Sequence, residues 1–219
     1  MPVRQEQEYQ TVDYSILNDK VNFHKLVNST NKFRLVVPDT VIPEGTTSII
    51  YFINVAPTVG MFPDSVQTLE FNYRFRQPFD FGTLPSNLTS LMLTAIYDQV
   101  MPVGELPASL TKLEFGRDYN HSIPIGWLPS GLKTLIFDTN FNQPIIVGSL
   151  PNGLITLRLS TCFDQPLDID ALPPSLTYLK FGNSENSDYY SPGVYNRPFL
   201  SCVGQWINPT LCNTSTNTS

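Results

Sequence analysis

The chain has 219 residues, 41% apolar and 15% charged, with 13 Lys and Arg against 19 Asp and Glu and a net charge of −6. That length suffices for one or two domains with a buried core, and so small a charged fraction excludes an acidic tail or a charge-laced coiled coil. Nineteen prolines exclude a helical bundle, because each removes a donor from any helix interior it enters.

Lys and Arg form no run, so nucleic-acid binding is not expected, since neutralising phosphates takes clustered cations. Met1–Gln10 has no apolar core and is not expected to act as a signal peptide. Further on, Tyr14–Val27 reads as a short amphipathic helix with Asp13 as its N-cap. Phe33–Val37 reads as a strand. The longest apolar run, Ile49–Val55, is strand-sized, and no membrane span is expected.

From residue 42 a period of 22 takes over. Leu-Pro recurs at Leu84, Leu106, Leu128, Leu150 and Leu172, with Phe62-Pro63 one step before and Ile42-Pro43 twenty residues before that. Three apolar columns keep the same phase, as in Leu110, Leu113 and Phe115. An aromatic column follows four residues later at Phe75, Tyr97, Tyr119, Phe141 and Phe163, and then a glycine column from Gly60 to Gly148. Columns in phase at this spacing mark a solenoid, whose coils bury their apolar faces only by stacking. The Leu-x-Leu/Phe alternation predicts one short parallel strand per coil. Twenty-two residues leave no room for a return helix, so the rest of the coil returns in extended or polyproline form. Gly supplies a bend, and Leu-Pro turns the chain into the next strand. The fold class is therefore mostly β: a leucine-rich-repeat-like solenoid of 22-residue coils.

Leu-x-x-Leu-x-Leu with segments such as Phe115-Gly116-Arg117-Asp118-Tyr119-Asn120, and Phe141-Asn142-Gln143-Pro144-Ile145 before Leu150-Pro151, resembles the FNIP-repeat family. That family belongs to the leucine-rich-repeat class and is abundant in social amoebae and giant DNA viruses. The resemblance runs from about Ile42 to Phe199. It implies a protein-interaction scaffold, with an F-box or similar adaptor in some members, and no enzyme. The motif Asn stands at Asn120, Asn142 and Asn196, with Asp98, Asp164 and Arg76 in its place elsewhere. Asn120 and Asn142 are expected to point inward and bond backbone groups of adjoining coils. Asp accepts but does not donate, so its coils are expected to be less completely satisfied.

Residues 1–41 are expected to cap the open solenoid end; an F-box-like module is the alternative, opposed by its size and the lack of a starting Leu-Pro. Residues 42–199 form the solenoid, with an insertion at 183–194 in the last coil, and 200–219 form a C-terminal cap and polar tail. Tyr189 and Tyr190 in the insertion either meet a partner or fold back onto Trp206 and Ile207.

Little chemistry is present. His121 stands in a column of glutamines and reads as a substitute for them, and Cys162 reads as a small buried filler. No His is placed to activate a nucleophile. Asp164, Asp168 and Asp170 read as a solvated face rather than a cation site. Cys202 and Cys212 are expected to be free thiols in a reducing cytoplasm, with a terminal disulfide as the alternative. Asn87-Leu88-Thr89 and Asn120-His121-Ser122 fit the glycosylation pattern, without modification being expected there. No cofactor or metal is expected. A parallel β-helix acting on polysaccharides is a distant alternative, because it needs acids and bases clustered on one face. The outward strand column reads Ile50, Glu70, Met92, Glu114, Ile136, Arg158, Lys180, with Tyr178 beside its basic end. Wet apolar residues there point to a partner protein. The expected interface is Ile50, Met92, Glu114, Ile136, Arg158, Tyr178, Lys180, Tyr189 and Tyr190, with Met92 and Ile136 central. Self-assembly into a homodimer or larger homo-oligomer is the alternative.

Overall fold

A computed structural model describes residues 41–93 and 96–182, with the backbone of two further strands at 32–35 and 189–190. The expected helix at 14–27, Asn196, the cysteine pair Cys202 and Cys212, and the C-terminal cap lie outside the described residues.

Among the described residues, nine strands form one sheet in chain order. They are β1 (Lys32–Leu35), β2 (Ser48–Tyr51), β3 (Thr68–Phe71), β4 (Ser90–Leu93), β5 (Lys112–Phe115), β6 (Thr134–Phe137), β7 (Thr156–Leu159), β8 (Tyr178–Phe181) and β9 (Tyr189–Tyr190). Strands β1 to β8 pair in parallel, and β9 closes the end antiparallel to β8. The sheet thus crosses the expected boundary at residue 41. The first strand, Lys32–Leu35, overlaps the expected Phe33–Val37, whose last two residues lie outside the described residues. Among the described residues the only helical element is a 3-10 turn, Ile169–Ala171.

Alternation decides which side of each strand is covered. Leu69, Leu91, Leu113, Leu135 and Leu157 are fully buried, as are Phe71, Leu93 and Phe137 two residues later, while the residues between them stay partly open. Aromatic rings continue the core along the axis. Phe137 lies 5.4 Å from Phe115 and 3.8 Å from Phe141, both stacked, and Phe141 reaches Phe163 at 6.2 Å. Phe75 and Tyr97 stack at 5.9 Å, and Tyr119 stacks on Phe115 at 3.9 Å. Tyr51 extends this packing one coil toward the N-terminus, and its hydroxyl donates to Val55 O at 2.9 Å. Burial pushes that hydroxyl up to about 12.

Two turns complete each coil. Pro85 O accepts the N–H of Leu88, and Pro107, Pro129, Pro151 and Pro173 repeat the pattern. In the other turn Pro124 O accepts from Trp127 N and Pro102 O from Glu105 N, with Gly126 and Gly104 in third position at φ 77° and 90°. A positive φ there defines a type II turn, and it is why glycine recurs every 22 residues.

Candidate interaction surface

Pairing register aligns Ile50, Glu70, Met92, Glu114, Ile136, Arg158 and Lys180 across seven adjacent strands. Six of them are half-buried, each flanked by its neighbours. Lys180 is the exception at 6% exposed, beside the β9 backbone that pairs with it. Tyr178 is also half-buried. Tyr189 and Tyr190 stand in β9, opposite Lys180 and Leu179, rather than in an open loop.

The charges on this face do not run as a simple gradient of separate groups. Glu114 Oε2 meets Lys112 Nζ at 3.2 Å on its own strand, and Glu114 Oε1 lies 4.0 Å from Arg158 Nη2 two strands away. Ile136 sits on the strand between, so the Glu114–Arg158 pair spans it. Such part-exposed pairs contribute only ~0–1 kcal/mol to stability. Their effect is to hold a cation and an anion in fixed places around an apolar side chain.

The Asn column lies elsewhere than expected. Asn120 is exposed and Asn142 half-exposed. Asn120 Oδ1 accepts the N–H of Asn142 at 2.8 Å, and Asn142 Oδ1 accepts that of Asp164 at 2.8 Å. The same oxygens accept from Gln143 Nε2 and Gln165 Nε2, each at 3.2 Å. Because the column works through one acceptor oxygen, a carboxylate serves as well as an amide. Asp98 Oδ1 accepts the N–H of Asn120 at 3.3 Å, which corrects the expected shortfall in that coil. His121 Nε2 lies 2.9 Å from Asp98 Oδ1, where the other coils place a Gln nitrogen. Asn54, unnoticed in the sequence because its coil is irregular, starts the ladder by accepting from Arg76 N at 2.9 Å. Asn142→Ala is therefore expected to cost only about 0.5–1.5 kcal/mol, since water reaches the freed donors. Asn142→Asp should melt like the wild type; a drop as large as that of alanine would mean that the amide donors matter too.

Of the aromatic ladder, Phe75, Tyr97, Tyr119 and Phe141 are buried, and Phe163 is only half-covered near the C-terminal end. Cys162 is exposed, not a buried filler, because the residue before the inward aromatic points away from the core. The Asp168 carboxylate is engaged in capping the 3-10 turn, accepting from Asp170 N at 2.9 Å.

Glu105 is a feature that periodicity did not expose. It is 4% exposed, and neither carboxylate oxygen has a hydrogen-bond partner. Burial first, and then the charge of Asp80, push its carboxyl above the usual range. Between the ordinary carboxylate range and that raised value, the folded chain holds a proton that the unfolded chain has released. Stability therefore falls as pH rises through that window. Thr83, at the equivalent turn position, donates its Oγ1 to Asp80 O at 2.5 Å. Glu105→Thr is expected to recreate that bond with Pro102 O and to stabilise the neutral-pH fold by about 1–3 kcal/mol. Melts of both proteins across the acid range check this: the substitution should raise Tm and flatten its fall with pH.

Comparison with known proteins places this geometry. The FNIP Repeat family model matches residues 56–94, 97–140, 119–162 and 141–184. No curated protein matches the chain. Among solved structures, CroV588, a circular LRR protein from a giant virus, is 33% identical with a TM-score of 0.61. The match covers 68% of this chain and 25% of CroV588, so the chain spans about a quarter of that protein's length.

Proposed function

The chain belongs to the FNIP-repeat family, and from that premise we propose that it is a non-catalytic scaffold that binds another protein on its outward strand face. The observation that carries this is Ile136, an apolar side chain half-open on a continuous parallel sheet and framed by the Glu114–Arg158 pair. Apolar anchors inside a polar rim supply most of the affinity in protein interfaces. Fixed charges around them set the partner's orientation and suppress wrong partners. Met92, two strands away across Glu114, is the second anchor. Arg158 and Tyr178 form the cationic and aromatic side, and Ile50 the far apolar end. The cytoplasm is the proposed setting.

Affinity capture from the source organism's lysate, with wild-type and Ile136→Glu chains as parallel baits, tests the reading. The wild type should retain a protein that the variant loses while both melt alike. Equal capture by the two baits would move the interface off the strand face.

A further inference from the structure

The type II turns carry a second surface. The residue just before the turn glycine is apolar in five coils, at Val59, Phe81, Val103, Ile125 and Val147, and Ile169 holds the equivalent place in the next. All six are open to solvent, from 45% at Ile169 to 72% at Phe81. Second position of a type II turn aims the side chain away from the coil in the five glycine coils, and Ile169 extends the row from the 3-10 turn, so the coils present one apolar ridge. Together the six residues leave roughly 700 Å² of surface open, backbone included, against the 300–600 Å² of the largest apolar patch on a typical monomer. Nothing in the strand-face reading uses it.

We infer that this ridge pairs two copies of the chain, antiparallel, about a two-fold axis between Val103 and Ile125. Three observations select this occupant. First, two such ridges together could bury up to about 1,400 Å², which reaches the ~1,200–2,000 Å² of stable specific interfaces. Second, the ridge alternates knobs with gaps. Phe81 leans toward Gly104 and Ile125 toward Gly148, whereas a Cβ placed on Gly60, Gly82 or Gly126 would meet nothing within 4 Å. A second copy set antiparallel about this axis brings Ile169, Val147 and Val103 to the three open gaps at Gly60, Gly82 and Gly126. Third, charge selects the direction. Parallel pairing about a two-fold axis sets Asp80 against Asp80 and Asp168 against Asp168. Antiparallel pairing instead sets Asp80 beside Ile146 and Asp168 beside Thr58, so no acid of these turns faces its own copy. Closed two-fold pairing of one patch with itself is also the commonest form of homo-oligomer.

Sedimentation equilibrium of the full chain, from low to several hundred micromolar, tests this beside Ile125→Lys and Val103→Lys, with a thermal melt for each. Either lysine lands on the axis, so each variant alone is sufficient if the other folds poorly. The wild-type mass should rise toward two chains, and a lysine variant should need at least about tenfold more protein to do so while melting like the wild type. A mass of one chain at every concentration overturns the proposal, including the case in which the chain's own terminal residues or a different protein cover the ridge. A dimer that survives both lysines but dissociates with Ile136→Glu overturns it as well, by placing self-association on the strand face.

Discussion

Leu135→Glu should abolish folding, and Ile136→Glu, one residue along the same strand, should leave the melt within about 1 kcal/mol of wild type. The contrast follows from strand parity: successive side chains leave opposite faces of the sheet. Leu135 is fully buried between Leu113 and Leu157 of the neighbouring coils. No described side chain carries a cation into that layer to pair with a carboxylate, and an unpaired buried charge costs several kcal/mol in addition to the lost apolar contact. Total stability of a domain is only ~5–15 kcal/mol, so the native population collapses. Ile136 is half-open, and a carboxylate there can reach water and Arg158. Far-UV circular dichroism and thermal unfolding of both variants decide the matter. If Ile136→Glu unfolds and Leu135→Glu survives, every face assigned above is reversed.

Phe137→Ala should be the most damaging neutral truncation, at about 3–5 kcal/mol and a Tm lower by about 10 °C. Its ring stacks on Phe141 within its own coil and on Phe115 of the coil before, and it is fully buried. In a solenoid each coil is stabilised mainly by its two neighbours, so a void at this interface weakens the coils on both sides together. Phe163, half-covered near the end of the ring stack, should cost clearly less when cut to alanine. Equal losses at the two positions, in denaturant titrations compared at constant slope, would show that the stack does not couple the coils.

The repeat was legible because packing imposes it: Leu-Pro, Leu-x-x-Leu-x-Leu and the turn glycines each answer a steric need that returns every 22 residues. Strands β2 to β8 lie on the columns where alternation puts them. The Asn ladder shows where such reading stops. A column of Asn is compatible with either an inward or an outward path, and only geometry reveals that one acceptor oxygen per coil is used, so that Asp98 serves as well as Asn120. Arg158 reaching Glu114 was missed because the two stand in non-adjacent coils, and long side chains span a strand that sequence columns keep apart. Glu105 breaks no period and gives no sequence signal; its isolation is a property of the folded turn. The ridge escaped notice because one apolar residue before a turn glycine looks unremarkable until five such turns, with Ile169 in the sixth coil, bring them into one row. The fate of Tyr189 and Tyr190 was unreadable for the opposite reason: the insertion has no period, and backbone pairing with β8 leaves no mark in composition.

The most direct test of the scaffold reading is a calorimetric titration of the captured partner into wild type, Ile136→Glu and Ile125→Lys. Wild type and Ile125→Lys should bind alike, since the ridge is a separate surface. Ile136→Glu should weaken binding by at least about thirtyfold, or 2 kcal/mol, as loss of a central anchor does, with its melt unchanged. Undiminished binding by a folded Ile136→Glu chain would contradict the account.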